Sequence, residues 1–309
     1  MKLYRFVVVV SFILQLGCRS EVNSFNLYPC YCEDNSDVST IISDSELRRE
    51  FSEKAKILID DKKITDMTSL LSQLDKKECF LTLPSESKKE IASEVLYEGY
   101  LDTVLMVGKP YQCKNKNCKK IHTSIASGFV LTASGAFVTN YHVVNANKED
   151  DFKTIVVMNG RGKMWPVKEV LAADEDNDFC ILQLDGEGFK PLPIRGNVKV
   201  GEKIRTITHP TGRFFSMSEG IVTRKYYREG KSSSKNRGVW INIDADYCKG
   251  SSGGPIIDRF GNVVGIVSST NSIYYKRDDK RKLDLDLQMV FKNVPSAENF
   301  KKVIKTPKK

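Results

Sequence analysis

Asp246-Tyr247-Cys248-Lys249-Gly250-Ser251-Ser252-Gly253-Gly254-Pro255 decides how the rest of the chain is read. Glycines crowded around a serine let the backbone turn sharply and present the hydroxyl. The same turn aims two main-chain N–H groups, those of Gly250 and Ser252, at one point in space, as the oxyanion of an acyl transfer requires. A serine hydroxyl is a poor nucleophile until a base takes its proton, and that base must itself be oriented. The stretch therefore predicts a histidine and a carboxylate upstream. Within Gly-x-Ser-Gly-Gly, the pattern selects Ser252 rather than its neighbour Ser251 as the nucleophile.

The chain holds three histidines. His142 follows a predicted strand in Thr139-Asn140-Tyr141-His142-Val143-Val144. Asp178 closes the acidic turn Asp174-Glu175-Asp176-Asn177-Asp178, which runs straight into Phe179-Cys180-Ile181-Leu182. A carboxylate at the mouth of a buried strand must find a partner, or its burial is costly. The order His142, Asp178, Ser252, each at a strand end, is one of those in which this kind of triad arises.

From about Thr103 onward the chain has the texture of strands. Thr103-Val104-Leu105-Met106-Val107 is expected to end at Gly108-Lys109-Pro110. Gly128-Phe129-Val130-Leu131 and Ala136-Phe137-Val138-Thr139 flank Thr132-Ala133-Ser134-Gly135 as a hairpin. Further strands are predicted over 154–158, 165–171, 179–184, 203–208, 220–224, 240–243 and 263–267. Residues 230–238 read as a Lys/Ser-rich loop. Many short strands and frequent turns predict an all-β barrel or sandwich. Upstream, Ser43-Asp44-Ser45-Glu46 has capping-box spacing, and Leu47, Phe51, Leu58 and Ile59 recur at helical intervals. A second helical pattern covers 66–74. A third starts at another capping box, Ser87-Lys88-Lys89-Glu90, and carries Ile91, Val95 and Leu96. These helices are expected to form a small appendage without chemistry of its own.

The 309 residues have room for one large domain plus such an appendage, and 40% hydrophobic with 28% charged residues is an ordinary globular composition. Part of the net charge of +9 lies in two runs: Lys276, Arg277, Lys280, Arg281 and Lys282, then Lys301, Lys302, Lys305, Lys308 and Lys309. Such runs are solvated surface or suit an anionic membrane. No helix-turn-helix, zinc-finger or aromatic RNA-binding pattern accompanies them, which argues against nucleic acid.

Lys2 and Arg5 precede an apolar run, 6–16, that stops at Gly17-Cys18. A basic start, an apolar core too short to span a bilayer and a small residue at its end predict an exported chain. Leu14-Gln15-Leu16-Gly17-Cys18 resembles the lipobox of bacterial lipoproteins, in which the cysteine is lipidated. Gln15 stands where that motif prefers leucine, so ordinary signal peptidase is the alternative. Of eight cysteines, seven remain if Cys18 carries lipid, leaving at least one unpaired or paired between chains. Cys113 and Cys118 bracket a short loop, and a local disulfide is expected in an oxidising compartment. With His122 they make only three zinc ligands, so the disulfide ranks first. Cys180 reads as a buried thiol.

Several of these segments together resemble the chymotrypsin-fold serine peptidases, and most closely the bacterial HtrA/Deg-type, trypsin-like group. Ser127-Gly128-Phe129-Val130 resembles the family's first hairpin, Thr139–Val144 its histidine motif and Asp176–Leu182 its aspartate segment. Gly201-Glu202-Lys203 and Glu219-Gly220-Ile221-Val222 fall where a second barrel begins. Gly250–Pro255 is the serine motif, and Gly261-Asn262-Val263-Val264-Gly265-Ile266 the strand pair after it. The expected organisation is a signal peptide at 1–17, a tether at 18–45, the helical appendage at 46–95 and the protease domain at 96–305.

The resemblance implies two six-stranded antiparallel β-barrels with the triad His142, Asp178 and Ser252 in the cleft between them. It implies an oxyanion hole at Gly250 and Ser252, with no metal or organic cofactor. It places Asp246 at the floor of the S1 pocket, where a carboxylate favours Arg or Lys at P1. Deg-type relatives carry a small residue there and prefer small aliphatic side chains, and Asp246 read alone is an exposed loop carboxylate. Ser268-Ser269-Thr270 forms one pocket wall, with Thr270 narrowing it, and Asp244 is structural. Residues 273–309, with an amphipathic segment at 294–304, are too few for the PDZ domain of Deg-type proteins, so regulation is expected from the helices or loops. The expected partners are protein or peptide substrates and, through an N-terminal lipid, a membrane. A non-catalytic envelope lipoprotein that uses the fold as a binding module is the alternative, and the intact motifs argue against it.

Overall fold

The computed structural model describes residues 40–112, 121–145, 152–228, 237–278 and 283–307. The expectations for the signal peptide, Cys18 and a Cys113–Cys118 disulfide lie outside the described residues, as does most of the 230–238 loop. Three helices come first: α1 (Asp44–Asp60), α2 (Met67–Leu71) and α3 (Ser93–Tyr100), with the short strand β1 (Cys79–Phe80) before the third. Six strands then close a barrel: β2 (Val104–Gln112), β3 (Ile121–Val130), β4 (Ala136–Thr139), β5 (Val156–Asn159), β6 (Met164–Asp174) and β7 (Phe179–Leu184). Their order is β2-β3-β4-β7-β6-β5, every pair antiparallel, and a one-turn helix, α4 (Tyr141–Val144), follows β4.

The second sheet holds β8 (Lys203–Thr208), β9 (Ser216–Tyr227), β10 (Val239–Ile243), β11 (Pro255–Asp258), β12 (Val263–Ile266), β13 (Ser269–Asp278) and β14 (Leu283–Pro295). In the order β12-β11-β8-β9-β10-β14-β13 it curls as half a barrel of seven strands, where a closed barrel of six was expected. The chain leaves β12, turns through Val267 and Ser268, and starts β13 at the opposite end of the sheet, where β13 pairs only with β14. An isolated bridge, Gly265↔Ser296, joins β12 to the residue that follows β14. The last elements, α5 (Ala297–Val303) and β15 (Ile304–Lys305), carry the chain back to pair with β1. The fold is all-β and chymotrypsin-like.

Alternation divides the apolar residues of β2 and β7 between two cores. In β2, Leu105 and Val107 point into the barrel, while Val104 and Met106 join a second core outside it. In β7, Cys180, Leu182 and Leu184 face inward, while Phe179 and Ile181 join Phe129, Val138, Val263, Ile266 and Phe300 in a core shared with the second sheet. Strands buried on both faces keep no polar side to mark their period. Cys180 is buried as expected. β2 also runs past its expected end. The ladder with β5 stops at Gly108, so the missing N–H of Pro110 costs that ladder no bond, and the Pro110 carbonyl accepts from the Lys153 N–H.

The helices are more deeply involved than an appendage. Leu47, Phe51 and Ala55 of α1 are buried in one cluster with Val104, Met106, Val156, Met158, Ile207, Phe214, Phe215 and Ile257. A Cβ on Gly108 would stand 2.3 Å from the Phe51 ring, so that strand position has room only for glycine. α3 starts at Ser93, later than the capping box at Ser87 predicts. The Ser87 N–H donates to Asn262 Oδ1 and the Ile91 N–H to the Arg259 carbonyl, so tertiary acceptors hold this stretch outside the helix. At α1, Ser43 is the N-cap residue, yet its side chain makes no cap hydrogen bond.

Replacing Phe51 with alanine should destabilise the entire fold by about 3–5 kcal/mol, the usual loss for a fully buried phenylalanine. Urea unfolding followed by tryptophan fluorescence, which reports Trp165 and Trp240 in the two sheets, should show one transition shifted to lower urea. An unmoved transition would make α1 an independent appendage.

Candidate active site

β4 ends at Thr139, and Asn140 turns the chain into α4, which carries His142. The buried Asn140 side chain donates to the Asp178 carbonyl at 2.8 Å and fixes the approach of the two segments. Asp178 lies at the start of β7 with φ +50, a left-handed conformation that aspartate tolerates better than most residues. The turn before it is held by Asp174, whose carboxylate accepts from the N–H and the side-chain amide of Asn177.

The structure brings His142, Asp178 and Ser252 together. His142 Nδ1 lies 2.9 Å from each Asp178 oxygen, and Nε2 lies 3.0 Å from Ser252 Oγ. The His142 backbone N–H also donates to Asp178 Oδ1, at 3.1 Å. An ionised carboxylate only accepts, so Nδ1 carries the proton and Nε2 presents its lone pair to the serine hydroxyl. Asp178 is buried, whereas the imidazole is half exposed, so the carboxylate is sheltered and the base is reachable.

Ser268, expected in the pocket wall with Ser269 and Thr270, touches two members of the triad. Its hydroxyl donates to Asp178 Oδ2, and its carbonyl lies 3.4 Å from Ser252 Oγ. It reaches the Asp178 carboxylate from the segment after β12.

The turn around Ser252 is held from its carbonyl side. The Lys249 carbonyl accepts from the Thr211 N–H at 2.7 Å, and the Ser251 carbonyl from the Gly254 N–H at 3.0 Å. A peptide unit is planar and trans, so anchoring these carbonyls turns the N–H groups of Gly250 and Ser252 the opposite way. No acceptor among the described residues takes either N–H, whereas those of Ser251, Gly253 and Gly254 are all bonded. Gly250 and Gly253 have φ +96 and +87, and a Cβ on Gly253 would lie 2.1 Å from the Ser127 carbonyl. Ser127 itself binds both flanking carbonyls: its hydroxyl donates to Gly250 at 3.0 Å and its N–H to Ser252 at 2.8 Å. Sequence reading missed that role, because nothing in the spacing marks a side chain that works on main-chain oxygens.

Residues 126–266 match the model of the trypsin-like peptidase domain. That span includes Ser127, His142, Asp178 and Ser252. The chain carries a trypsin-like peptidase domain. It is homologous to a probable periplasmic serine endoprotease DegP-like of Ectopseudomonas mendocina, 32% identical over 148 residues, covering 47% of this chain and 29% of the relative. Protease Do-like 5, chloroplastic, of Arabidopsis thaliana is 28% identical over 153 residues, 47% of each chain. Protease Do-like 1, chloroplastic, of the same plant is 30% identical over 146 residues, 45% of this chain and 32% of the relative. The chain thus spans less than half the length of these relatives.

In this peptidase domain the other residues expected in the pocket behave differently from one another. Thr270 is exposed on β13. Asp246 is almost fully exposed and ion-paired to Lys292 at 2.6 Å, a partner not apparent from the sequence. The Asp244 carboxylate accepts from the Ile221 N–H and is structural, as expected. Cys248 is an exposed free thiol. Of the other histidines, His122 stacks on Tyr111 at the far end of β3, away from the triad.

His209 is buried under the serine turn: its carbonyl lies 2.5 Å from where a Gly250 Cβ would stand, and its Nδ1 accepts from the Phe215 N–H. Burial pushes its pKa from 6.5 down to about 4, against a smaller opposing pull from the backbone at Leu105 and Thr208. In the unfolded chain the imidazole takes up its proton first, so its contribution is complete above pH 6.5 and is lost as pH falls through the window towards 4. The expected loss is about 3 kcal/mol between pH 7.5 and 4. Urea titrations at those two pH values should show His209→Gln losing less than the parent by that amount. Equal losses would assign the acid sensitivity to other groups.

Proposed function

We propose that the chain is a serine endopeptidase that hydrolyses peptide bonds of proteins in the cell envelope. The observation that carries the reading is the continuous contact Asp178–His142–Ser252, with the imidazole Nε2 at 3.0 Å from the serine oxygen. Ser252 Oγ attacks the scissile carbonyl while His142 Nε2 takes its proton, and the imidazolium is stabilised by Asp178. The carbonyl oxygen becomes an oxyanion held by the N–H groups of Gly250 and Ser252. The intermediate collapses with cleavage of the C–N bond, and His142 returns its proton to the leaving amine. Water, deprotonated by the same imidazole, then hydrolyses the acyl-enzyme and restores Ser252.

The envelope location is supported by the basic and apolar N-terminal stretch and by the word periplasmic in the names of bacterial relatives. Lipidation at Cys18 is part of the proposal and rests on the lipobox resemblance alone.

Fluorophosphonate labelling of a soluble form starting near Ser20 tests the reading. Ser252→Ala should abolish labelling. Asp178→Asn should lower kcat on a peptide substrate by about 10⁴-fold, because the amide stabilises the wrong tautomer of His142. Absence of labelling in the parent would favour the non-catalytic binding module.

A further inference from the structure

We infer that a cavity against β8 and β9 is a second binding site of this chain, one that takes a phosphate group carried by a soluble molecule or by a lipid head. Lys203, Arg205, Glu219, Ile221 and Arg259 line this one cavity, of about 290 Å³. Strand register gathers them. Lys203 pairs with Ile221 and Arg205 with Glu219, so these four side chains stand on one face of the β8–β9 ladder. On the other side of β8 the ladder with β11 ends at Asp258↔Ile204, and Arg259 is the next residue. None of the five belongs to the triad or to the turn around Ser252.

Three cations and one carboxylate leave this cavity a surplus of two positive charges. Arg205 is the enclosed cation: its Nε donates to Glu219 Oε1 at 2.9 Å and its Nη1 to the Ile91 carbonyl at 2.9 Å. The Ser93 hydroxyl, and next to it the Arg205 guanidinium, hold the Glu219 carboxyl below its ordinary pKa, so Glu219 stays charged and engaged with Arg205. Lys203 and Arg259 form no ion pair among the described residues. The carboxylates that precede them in the chain, Glu202 and Asp258, both bind Arg195 instead. Asp244 accepts from the Ile221 N–H and stands on the other face of β9, the side to which a Gly220 Cβ would point.

A phosphate monoester carries close to two negative charges at neutral pH and so matches the surplus. The Arg259 guanidinium, set over the Phe260 ring at 4.6 Å, offers a fork of N–H donors suited to phosphate oxygens, and Lys203 adds a point charge. Ile221, 39% exposed, gives the rest of the ligand an apolar rim. The Arg259 carbonyl accepts from the Ile91 N–H at 3.0 Å. A phosphate held between Lys203 and Arg259 therefore clasps β8 to the turn after β11, beside the segment that leads into α3.

A ligand that binds only the folded chain raises its melting temperature by mass action. At constant ionic strength, glycerol 3-phosphate should raise that of the full chain saturably, and sodium chloride should not. Lys203→Gln and Arg259→Gln should each weaken the apparent affinity at least about tenfold, the loss of one charge-assisted contact, and together they should abolish the shift. Because neither residue is ion-paired, the ligand-free variants should melt within about 2 °C of the parent. Arg259→Lys keeps the charge and loses the fork, so it should fall between the parent and Arg259→Gln. Succinate, whose two charges sit at opposite ends, should bind at least about tenfold more weakly than glycerol 3-phosphate. Equal binding of succinate overturns the assignment to phosphate. Flotation of the full chain with phosphatidylcholine vesicles, with and without phosphatidic acid, separates the two sources. A gain with phosphatidic acid that the double variant loses assigns a lipid head, and glycerol 3-phosphate binding without that gain assigns a soluble ligand. No saturable shift in the parent, or a shift unchanged in the double variant, overturns the inference.

Discussion

A carboxylate withdrawn from water needs donors, and Asp178 obtains them from both sheets. The His142 backbone N–H and imidazole come from the segment after β4, and the Ser268 hydroxyl from the segment after β12. Left without them, the buried group would carry the full cost of its lost hydration. The same requirement that satisfies Asp178 therefore fixes the histidine tautomer and draws the second sheet up against the first. Ser252 meets the free Nε2 because Asp178 has claimed the other nitrogen.

Ser127 is the mechanical counterpart of that electrostatic constraint. Its N–H and hydroxyl hold the Ser252 and Gly250 carbonyls, while its own carbonyl accepts from Thr139 Oγ1 at 2.8 Å. The turn bearing the proposed nucleophile is thus anchored to the barrel strands that flank His142. With Thr211 on the Lys249 carbonyl, every peptide that matters for orienting Gly250 and Ser252 is fixed without occupying their N–H groups. Preorganisation of this kind removes reorganisation from the moment of reaction.

What the sequence makes legible follows from how each residue acts. His142, Asp178 and Ser252 sit in short motifs at strand ends, where residue type and order already carry the chemistry. Ser127, Thr211 and Lys292 act on partners distant in sequence, all three of them on main-chain oxygens, and no local spacing marks them. The β13–β14 ribbon has a visible period of two in Leu283-x-Leu285-x-Leu287-x-Met289, yet the basic run in front of it reads first as solvated surface. Helical spacing in α1 identifies an apolar stripe and says nothing of what the stripe covers. The curl of the second sheet depends on where the chain turns after Ser268, and two residues of turn contain no hint of the strand it will join.

That stripe on α1 turns out to bear on the site. Asp44 Oδ1 accepts from the Phe214 N–H at 2.8 Å, and the Arg48 guanidinium lies over the Phe214 ring. Phe214 and Phe215 share a core cluster with Leu47 and Phe51. Phe215 in turn donates to His209, and the segment that His209 begins supplies the Thr211 N–H on the Lys249 carbonyl. A helix outside both sheets is therefore contiguous, through packed rings and three hydrogen bonds, with the peptide whose N–H is proposed to meet the oxyanion. That chain of contacts ends on the Lys249 carbonyl, whose peptide carries the Gly250 N–H, and touches neither His142 nor Asp178.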